Sequence, residues 1–116
     1  AHSWAGGRMA AVDANQIGAR APAGAVVVLS ALTTAASLPD VGTDDLAVAI
    51  VVGYEAMIRL GAAIDGPSVL YRGIWPSYFA APFGAAAVAA VHARRAAERE
   101  CELEPRRLAH ARTHGC

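Results

Sequence analysis

The chain has 116 residues, which is enough for one small domain. Ten acidic and ten basic residues give a formal net charge of zero, which argues against a general nucleic-acid-binding surface. Apolar residues make up 55% of the sequence. Many of them are alanine, so the composition favours helices with close, thin contacts. We therefore expect this segment to rely on partners, either further parts of its own chain or a second subunit.

The thiols and imidazoles near the C-terminus bear on compartment and metal binding. Cys101 and Cys116 lie in the charged C-terminal part, and residues 1–10 contain two glycines and an arginine where an export signal needs an apolar run. We therefore expect a reducing cytoplasm. Together with His110 and His114, the cysteines match no standard zinc spacing, so we predict no metal site.

A membrane-spanning helix has to be considered because the mean hydropathy is +0.34. The best candidate is Leu46–Ile64, but Glu55 and Arg59 lie near its middle, where charge is costly in lipid. We predict a chain without a membrane partner. Membrane association through the Ala/Val-rich helices is kept as a weaker alternative.

The first third of the chain is predicted to be partly helical. His2–Val12 has the pattern of a short helix, and the polar stretch Asp13–Gly24 that of a loop. Ala25–Ser37 is predicted to be a buried helix, because flanking alanines extend its valine run to helical length. Leu38–Gly42 then breaks the chain with a proline and a glycine.

The strongest helix signal follows this break. Thr43 is suited to cap the helix, and Asp44 and Asp45 place negative charge in the first turn. Asp65-Gly66-Pro67 is predicted to end it, with Gly66 in the left-handed conformation. Glu55 and Arg59 have the spacing of an ion pair. One buried face is predicted from residues three or four apart, namely Leu46, Ile50, Tyr54, Met57, Gly61 and Ile64, widened by Val51 and Ile58.

The remaining elements are predicted from prolines and small residues. Ser68–Ser77 is predicted to be a loop. Pro82 would begin a helix that runs to about Glu100, and Pro105 would open a last helix at Arg106–Thr113. Gly84–Ala87 would give a small-residue surface that another backbone can approach closely. The fold class predicted from these elements is all-α, a helical bundle.

Two loops, Asp13–Arg20 and Tyr71–Tyr78, concentrate the polar and aromatic residues. Asp13 could serve as a general acid or base, and Arg72 could bind a carboxylate in a bidentate way. The alternative is ordinary loop chemistry, with Asp13 as a cap, Arg72 in a surface ion pair and Trp75 filling the core. No nucleophile motif or phosphate-binding loop is present in the sequence. His92, in an alanine-rich stretch, is expected to be a packing or surface residue.

The stretch Asp44–Val91 contains Gly53-Tyr54-Glu55, then Gly73–Ser77, then the glycine- and alanine-rich Ala81–Ala87. In this order the three elements resemble the N-terminal helical region of the MmgE/PrpD family, which includes 2-methylcitrate dehydratase and cis-aconitate decarboxylase. The resemblance is carried by a glycine-tyrosine-glutamate element on a long helix, a loop, and a glycine- and alanine-rich helix. The matching positions are Gly53, Tyr54, Glu55, Arg59 and Gly61, then Gly73–Ser77, then Ala81–Ala87. Weaker similarity extends upstream through Asp13 and Pro22–Leu32, and downstream through Leu103–Ala109.

The resemblance implies a cofactor-independent lyase or isomerase that acts on a small di- or tricarboxylate by acid–base chemistry, and that forms homodimers. Residues 1–116 would then be part of a single large helical domain, a fragment that lacks the family's smaller lid domain. Asp13 would be the catalytic proton-transfer residue. Arg72, Trp75 and Ser77 would bind substrate.

The sequence also departs from the family pattern. Trp75 stands where the family's later histidine is expected, and Asn15–Gly18 replaces a stretch that ends in another histidine. An indole N–H donates a hydrogen bond but does not exchange protons near neutral pH. A second hypothesis is therefore open: a catalytically inactive helical module whose alanine faces serve dimerisation.

Overall fold

A computed structural model describes residues 23–114, which form four helices and, within that range, no strand. The helices are α1 (Gly24–Ala36), α2 (Thr43–Ala63), α3 (Gly66–Tyr71) and α4 (Pro76–His114). Helix makes up 86% of these residues, which confirms the all-α prediction. The predicted helix at His2–Val12, and the part of the predicted loop that precedes residue 23, lie outside the described range.

Helix α1 begins and ends one residue before its predicted bounds. The valine run that locally favours a strand is helical here, and Val27 in its middle is fully buried. Burial against the other helices therefore outweighs the local preference of β-branched residues. Near its C-terminus, the hydroxyl of Thr34 donates to the Ser30 carbonyl at 2.7 Å and that of Ser37 to the Thr33 carbonyl at 3.0 Å.

Both ends of α2 differ slightly from the prediction. The N-cap is Gly42 rather than Thr43, without a side-chain capping bond, although Asp44 and Asp45 do lie in the first turn. At the other end Asp65, with φ 52°, takes the left-handed conformation predicted for Gly66, which instead begins α3. Aspartate tolerates this conformation better than most residues with a side chain. Its carboxylate also accepts a hydrogen bond from the Ser68 hydroxyl.

The predictions for the second half of the chain were wrong in two respects. The predicted loop Ser68–Ser77 is mostly helical, because α3 runs to Tyr71 and α4 begins at Pro76. In addition, Pro82 and Pro105 do not begin helices but lie inside the 39-residue α4. Each proline removes one backbone donor, and both are exposed, so water can satisfy the carbonyl left without a partner. The surrounding alanine and glutamate residues favour a continuous helix.

The core lies where α2 and α4 cross in opposite directions, with α1 packed against both. The antiparallel order follows from three contacts: Asp45 with Arg99, Gly53 with Val88, and Met57 with Gly84. A Cβ atom added to Gly84 would lie 2.5 Å from the Met57 Cγ atom. The predicted close approach of another helix at this small-residue surface is thus confirmed at Gly84.

The buried line of α2 agrees with the predicted face at Met57 and Gly61 and differs from it nearer the N-terminus. The line consists of small residues and one methionine, namely Ala49, Gly53, Met57 and Gly61. Leu46, Ile50 and Tyr54 are only half-buried beside it, and Val51 is 66% exposed. The physical reason is the close approach of α4, since small residues must occupy the contact line and bulky ones are displaced to its edges.

Beyond this bundle, residues 100–112 of α4 are exposed throughout.

Candidate functional site

Three of the four predicted site residues lie at the junction of α3 and α4. Arg72 directly follows α3 as its C-cap, Trp75 directly precedes α4, and Ser77 is in the first turn of α4. Backbone hydrogen bonds fix this junction: the Gly73 N–H donates to the Leu70 carbonyl at 2.9 Å, and the Tyr78 N–H to that of Trp75 at 3.0 Å.

Glycine is required within this junction. Gly73 has φ 83°, in the region that residues with a Cβ rarely adopt, and no atom would obstruct a Cβ there. The constraint is therefore on backbone conformation rather than on space. The neighbouring Ile74 N–H reaches back to the Val69 carbonyl at 3.4 Å, so the chain turns sharply between Arg72 and Trp75.

Arg72 and Trp75 lie on the surface of the described bundle, whereas Pro76, between Trp75 and Ser77, is buried. The exposed fraction is 52% for Trp75, which rules out its interpretation as a core-filling residue within residues 23–114. Arg72 is also exposed, and no acidic partner contacts it among the described residues, so the alternative of a surface ion pair is not supported there. Ser77 is half-buried. A guanidinium, an indole and a hydroxyl thus lie within six residues of chain.

Asp13, the predicted proton-transfer residue, lies outside the described residues. The structure therefore brings together Arg72, Trp75 and Ser77 by sequence proximity at one helix junction and does not place Asp13 relative to them.

Shallow grooves occur elsewhere on the described bundle. One of about 560 Å³ lies along the exposed part of α4, and another of about 270 Å³ separates that part from the α1–α2 connection. They share Arg99 and Leu103 among their lining residues. Arg72, Trp75 and Ser77 line neither groove.

His92 is the one polar residue among the buried residues of the described range, with 1% of its surface exposed. Neither ring nitrogen has a hydrogen-bond partner among residues 23–114. His92 was expected to lie either in the packed interior or on the surface, and the structure places it in the interior. The signal was present in the sequence, because His92 continues the four-residue spacing of Ala80, Gly84 and Val88 along the buried face of α4.

A charged cluster connects the N-terminus of α2 to α4. Arg99 donates a hydrogen bond to the Asp45 carboxylate, and Arg95 lies 3.5 Å from the same carboxylate. The hydrogen bond from Arg99 is the main cause that lowers the pKa of Asp45. The Gly42 backbone and the charges of both arginines add to it, while desolvation opposes it. Sequence reasoning placed Asp45 only in the first helical turn and missed this pairing across 54 residues.

The described residues contain no group of three or more side chains that could hold a metal ion. Cys101 is exposed and unpaired, whereas Cys116 lies outside the described range.

One described helix, α2, is long and apolar enough to cross a membrane by length and composition alone. The same test is passed by core helices of soluble proteins. Of the most apolar stretch of α2, 22% is buried inside the described structure. The predicted ion pair between Glu55 and Arg59 is present on the exposed surface of this helix, with 2.5 Å between the Arg59 Nε and Glu55 Oε1 atoms.

No protein-family model, curated protein or solved structure matches the chain in comparisons with known proteins.

Proposed function

We propose that the chain is part of a MmgE/PrpD-type lyase or isomerase that acts on a small di- or tricarboxylate without a cofactor. The observation that supports this most is how the two resembling segments pack. Gly53, from the glycine-tyrosine-glutamate element, and Gly84, from the glycine- and alanine-rich helix, lie in one core contact: a Cβ on Gly84 would lie 3.7 Å from the Gly53 carbonyl oxygen. Both resembling segments therefore use their glycines for the same helix crossing.

The α3–α4 junction carries the substrate-binding part of this proposal. The exposed Arg72 guanidinium can bind a carboxylate through two parallel hydrogen bonds. The Ser77 hydroxyl can donate a hydrogen bond, and the Trp75 indole offers an apolar wall with one N–H donor. Substrates with two or three carboxylates fit a loop whose sole charge is positive.

Asp13 supplies the proposed acid–base chemistry. In an elimination of water, a carboxylate removes the proton from the carbon next to a substrate carboxylate. The carbon–oxygen bond then breaks, and the hydroxyl leaves as water after protonation by an acid. Trp75 cannot be that acid, because an indole does not release its proton near neutral pH. We propose that the group that protonates the leaving hydroxyl comes from another part of the full-length protein.

We also propose that residues 1–116 form part of a larger helical domain, and that the full-length protein is a cytoplasmic homodimer.

Carboxylate binding tests the proposal at the residue level. In the full-length protein, titration calorimetry with 2-methylcitrate and cis-aconitate should detect binding of at least one. Arg72→Ala should weaken it by about ten- to a hundredfold, as expected for loss of a charge-assisted hydrogen-bond pair. Arg59→Ala removes an equal charge from the exposed ion pair of α2 and is the matched control. Equal affinity in wild type and Arg72→Ala would refute the assigned role of Arg72.

A second candidate function is a catalytically inactive helical module that serves dimerisation. Exposure of large apolar side chains, among them Tyr78 at 74% and Phe83 at 60%, favours it. Loss of turnover on replacing Asp13 would exclude this candidate.

A further inference from the structure

The solvent-facing side of the first four turns of α4 is apolar. It consists of Tyr78, Phe79, Pro82, Phe83, Ala86 and Ala90, which we call the aromatic–alanine face. All six are exposed, whereas Ala80, Gly84 and Val88 on the opposite side of the helix are buried. Exposure reaches 74% for Tyr78, 45% for Phe79 and 60% for Phe83. A contiguous exposed apolar surface of this kind marks an interaction site.

The aromatic–alanine face carries no charge of its own. Between Gly66 and Val91 the one acidic or basic side chain is Arg72, which precedes α4. The charged residues of α4 begin shortly afterwards, with Arg94 and Arg95. Two copies of the face could therefore meet without like-charge repulsion, in keeping with the depletion of charge at interface cores.

The large and small side chains of this face would complement those of the same face on a second copy if the two helices paired in an antiparallel orientation. The aromatic residues occupy its N-terminal half, and Ala86 and Ala90 its C-terminal half. In an antiparallel pair related by a twofold axis beside residue 84, Tyr78 of one copy lies opposite Ala90 of the other. Pro82 likewise lies opposite Ala86. Large side chains then fill the space above small ones, as in an isologous interface. A parallel pair would place aromatic residues on each other and leave gaps between the alanines.

The area of the face is sufficient for a weak dimer. Fully burying an aromatic side chain removes about 150–250 Å² from water, so the exposed fractions of the three aromatic residues and the smaller residues give about 600 Å² per copy. The total of roughly 1,200 Å² lies at the lower bound for specific interfaces. A second copy of this chain therefore fits both the size and the chemistry of the face.

We infer that the aromatic–alanine face of α4 is a homodimer interface, formed by antiparallel pairing with the same face of a second copy. This deepens the dimerisation candidate above. It does not depend on the proposed chemistry of Asp13 or Arg72, because no residue of the face belongs to that set.

Molar mass in solution tests the inference. Light scattering across a concentration series of the 116-residue chain should show the mass rising from 11.9 kDa towards twice that value. Phe83→Glu and Ala90→Glu, tested separately, should each weaken dimerisation at least tenfold, because each would bury a charged carboxylate in the apolar interface. Ala97→Glu adds the same charge two turns beyond the face, at another exposed position of α4, and should leave the dimer unchanged. Circular dichroism checks that each variant keeps its helix content.

Orientation is tested by cross-linking. In a background with Cys101 and Cys116 replaced by serine, a mixture of Tyr78→Cys and Ala90→Cys chains should form a mixed disulfide dimer in preference to either self-linked dimer.

The inference is overturned by a mass that stays monomeric, or by a dimer insensitive to both glutamate variants. It is also overturned if deletion of residues 1–22 is needed before dimers form, since that segment would then occupy the face. Binding of the face to neutral phosphatidylcholine vesicles in place of self-association would equally refute it.

Discussion

Gly53 of α2 lies so close to Val88 of α4 that a Cβ atom on Gly53 would be 2.7 Å from the valine Cγ2 atom. The same Cβ would lie 2.8 Å from the Cγ1 atom of Val27 in α1. All three helices therefore meet at a point where no side chain fits without displacing a valine of a neighbouring helix.

Gly53→Ala should destabilise the fold by about 1 kcal/mol or more. Overpacking a core costs about 1–3 kcal/mol. The better helix propensity of alanine returns up to about 1 kcal/mol. Both contacting residues are valines with a stiff χ1, so they cannot easily move aside. Urea unfolding of the chain measures the loss.

A double variant tests whether the loss of stability in Gly53→Ala comes from steric overlap between the new Cβ atom and the Val88 side chain. Val88→Ala creates space at the same contact, so Gly53→Ala should cost less in that background than in wild type. Strictly additive free energies of unfolding would mean that the contact between Gly53 and Val88 is not the cause.

His92→Leu should leave stability unchanged or raise it, by about 1 kcal/mol. An unpaired buried polar group costs about 1–3 kcal/mol, and leucine removes the two ring nitrogens while filling similar space. Ala93→Leu, at the exposed neighbouring position, controls for the propensity of leucine in α4. A loss of more than about 2 kcal/mol for His92→Leu, with recovery in His92→Gln, would show that the imidazole has a hydrogen-bond partner beyond the described residues.

The contribution of Asp45 to stability should depend on pH in a defined direction. Because the hydrogen bond from Arg99 lowers its pKa in the folded state, the carboxylate stabilises the fold above its unfolded pKa of about 3.9. That contribution is lost as the pH falls through the folded pKa. The melting temperature of Asp45→Asn should therefore lie below that of wild type at pH 7, and the difference should shrink towards pH 2.

The adjacent Asp44→Asn is the matched control for this experiment, since Asp44 is exposed and forms no ion pair among the described residues. It should show a smaller difference from wild type at pH 7. A difference for Asp45→Asn that grows as the pH falls would contradict the assigned pairing with Arg99.

The helical class and the bounds of α1 and α2 could be predicted from composition, spacing and first-turn charge. The α3–α4 region could not, because a proline in this kind of sequence predicts the start of a helix, whereas Pro82 and Pro105 lie inside α4. In the sequence, a proline on the exposed side of a long helix cannot be distinguished from a proline in the first turn of a new helix. The buried face of α2 is predicted correctly at Met57 and Gly61 but not in the first half of the helix. Hydrophobicity selects Leu46 and Ile50, whereas the close crossing with α4 selects Ala49 and Gly53.

The candidate site was predictable only in part. The concentration of Arg72, Trp75 and Ser77 at a break between helices was visible in the sequence, and the structure places them at the α3–α4 junction. That Trp75 would be half exposed was not visible, since burial depends on which elements cover it. Asp13 lies outside the described residues, and its relation to Arg72 stays a prediction.

Arg72→Lys in the full-length protein should raise KM for a tricarboxylate about tenfold or more and change kcat less. Lysine keeps the charge but loses the paired donors that match a carboxylate. Arg59→Lys should alter neither constant. Equal effects of the two substitutions would indicate that general charge, rather than the geometry at Arg72, accounts for substrate binding.

Turnover by the full-length protein tests the central proposal most directly. With 2-methylcitrate and cis-aconitate as substrates, we expect product formation from at least one, and loss of that activity in Asp13→Ala with the melting temperature preserved. Absence of turnover on both, together with a melting temperature that neither acid changes, would contradict the proposed lyase or isomerase activity.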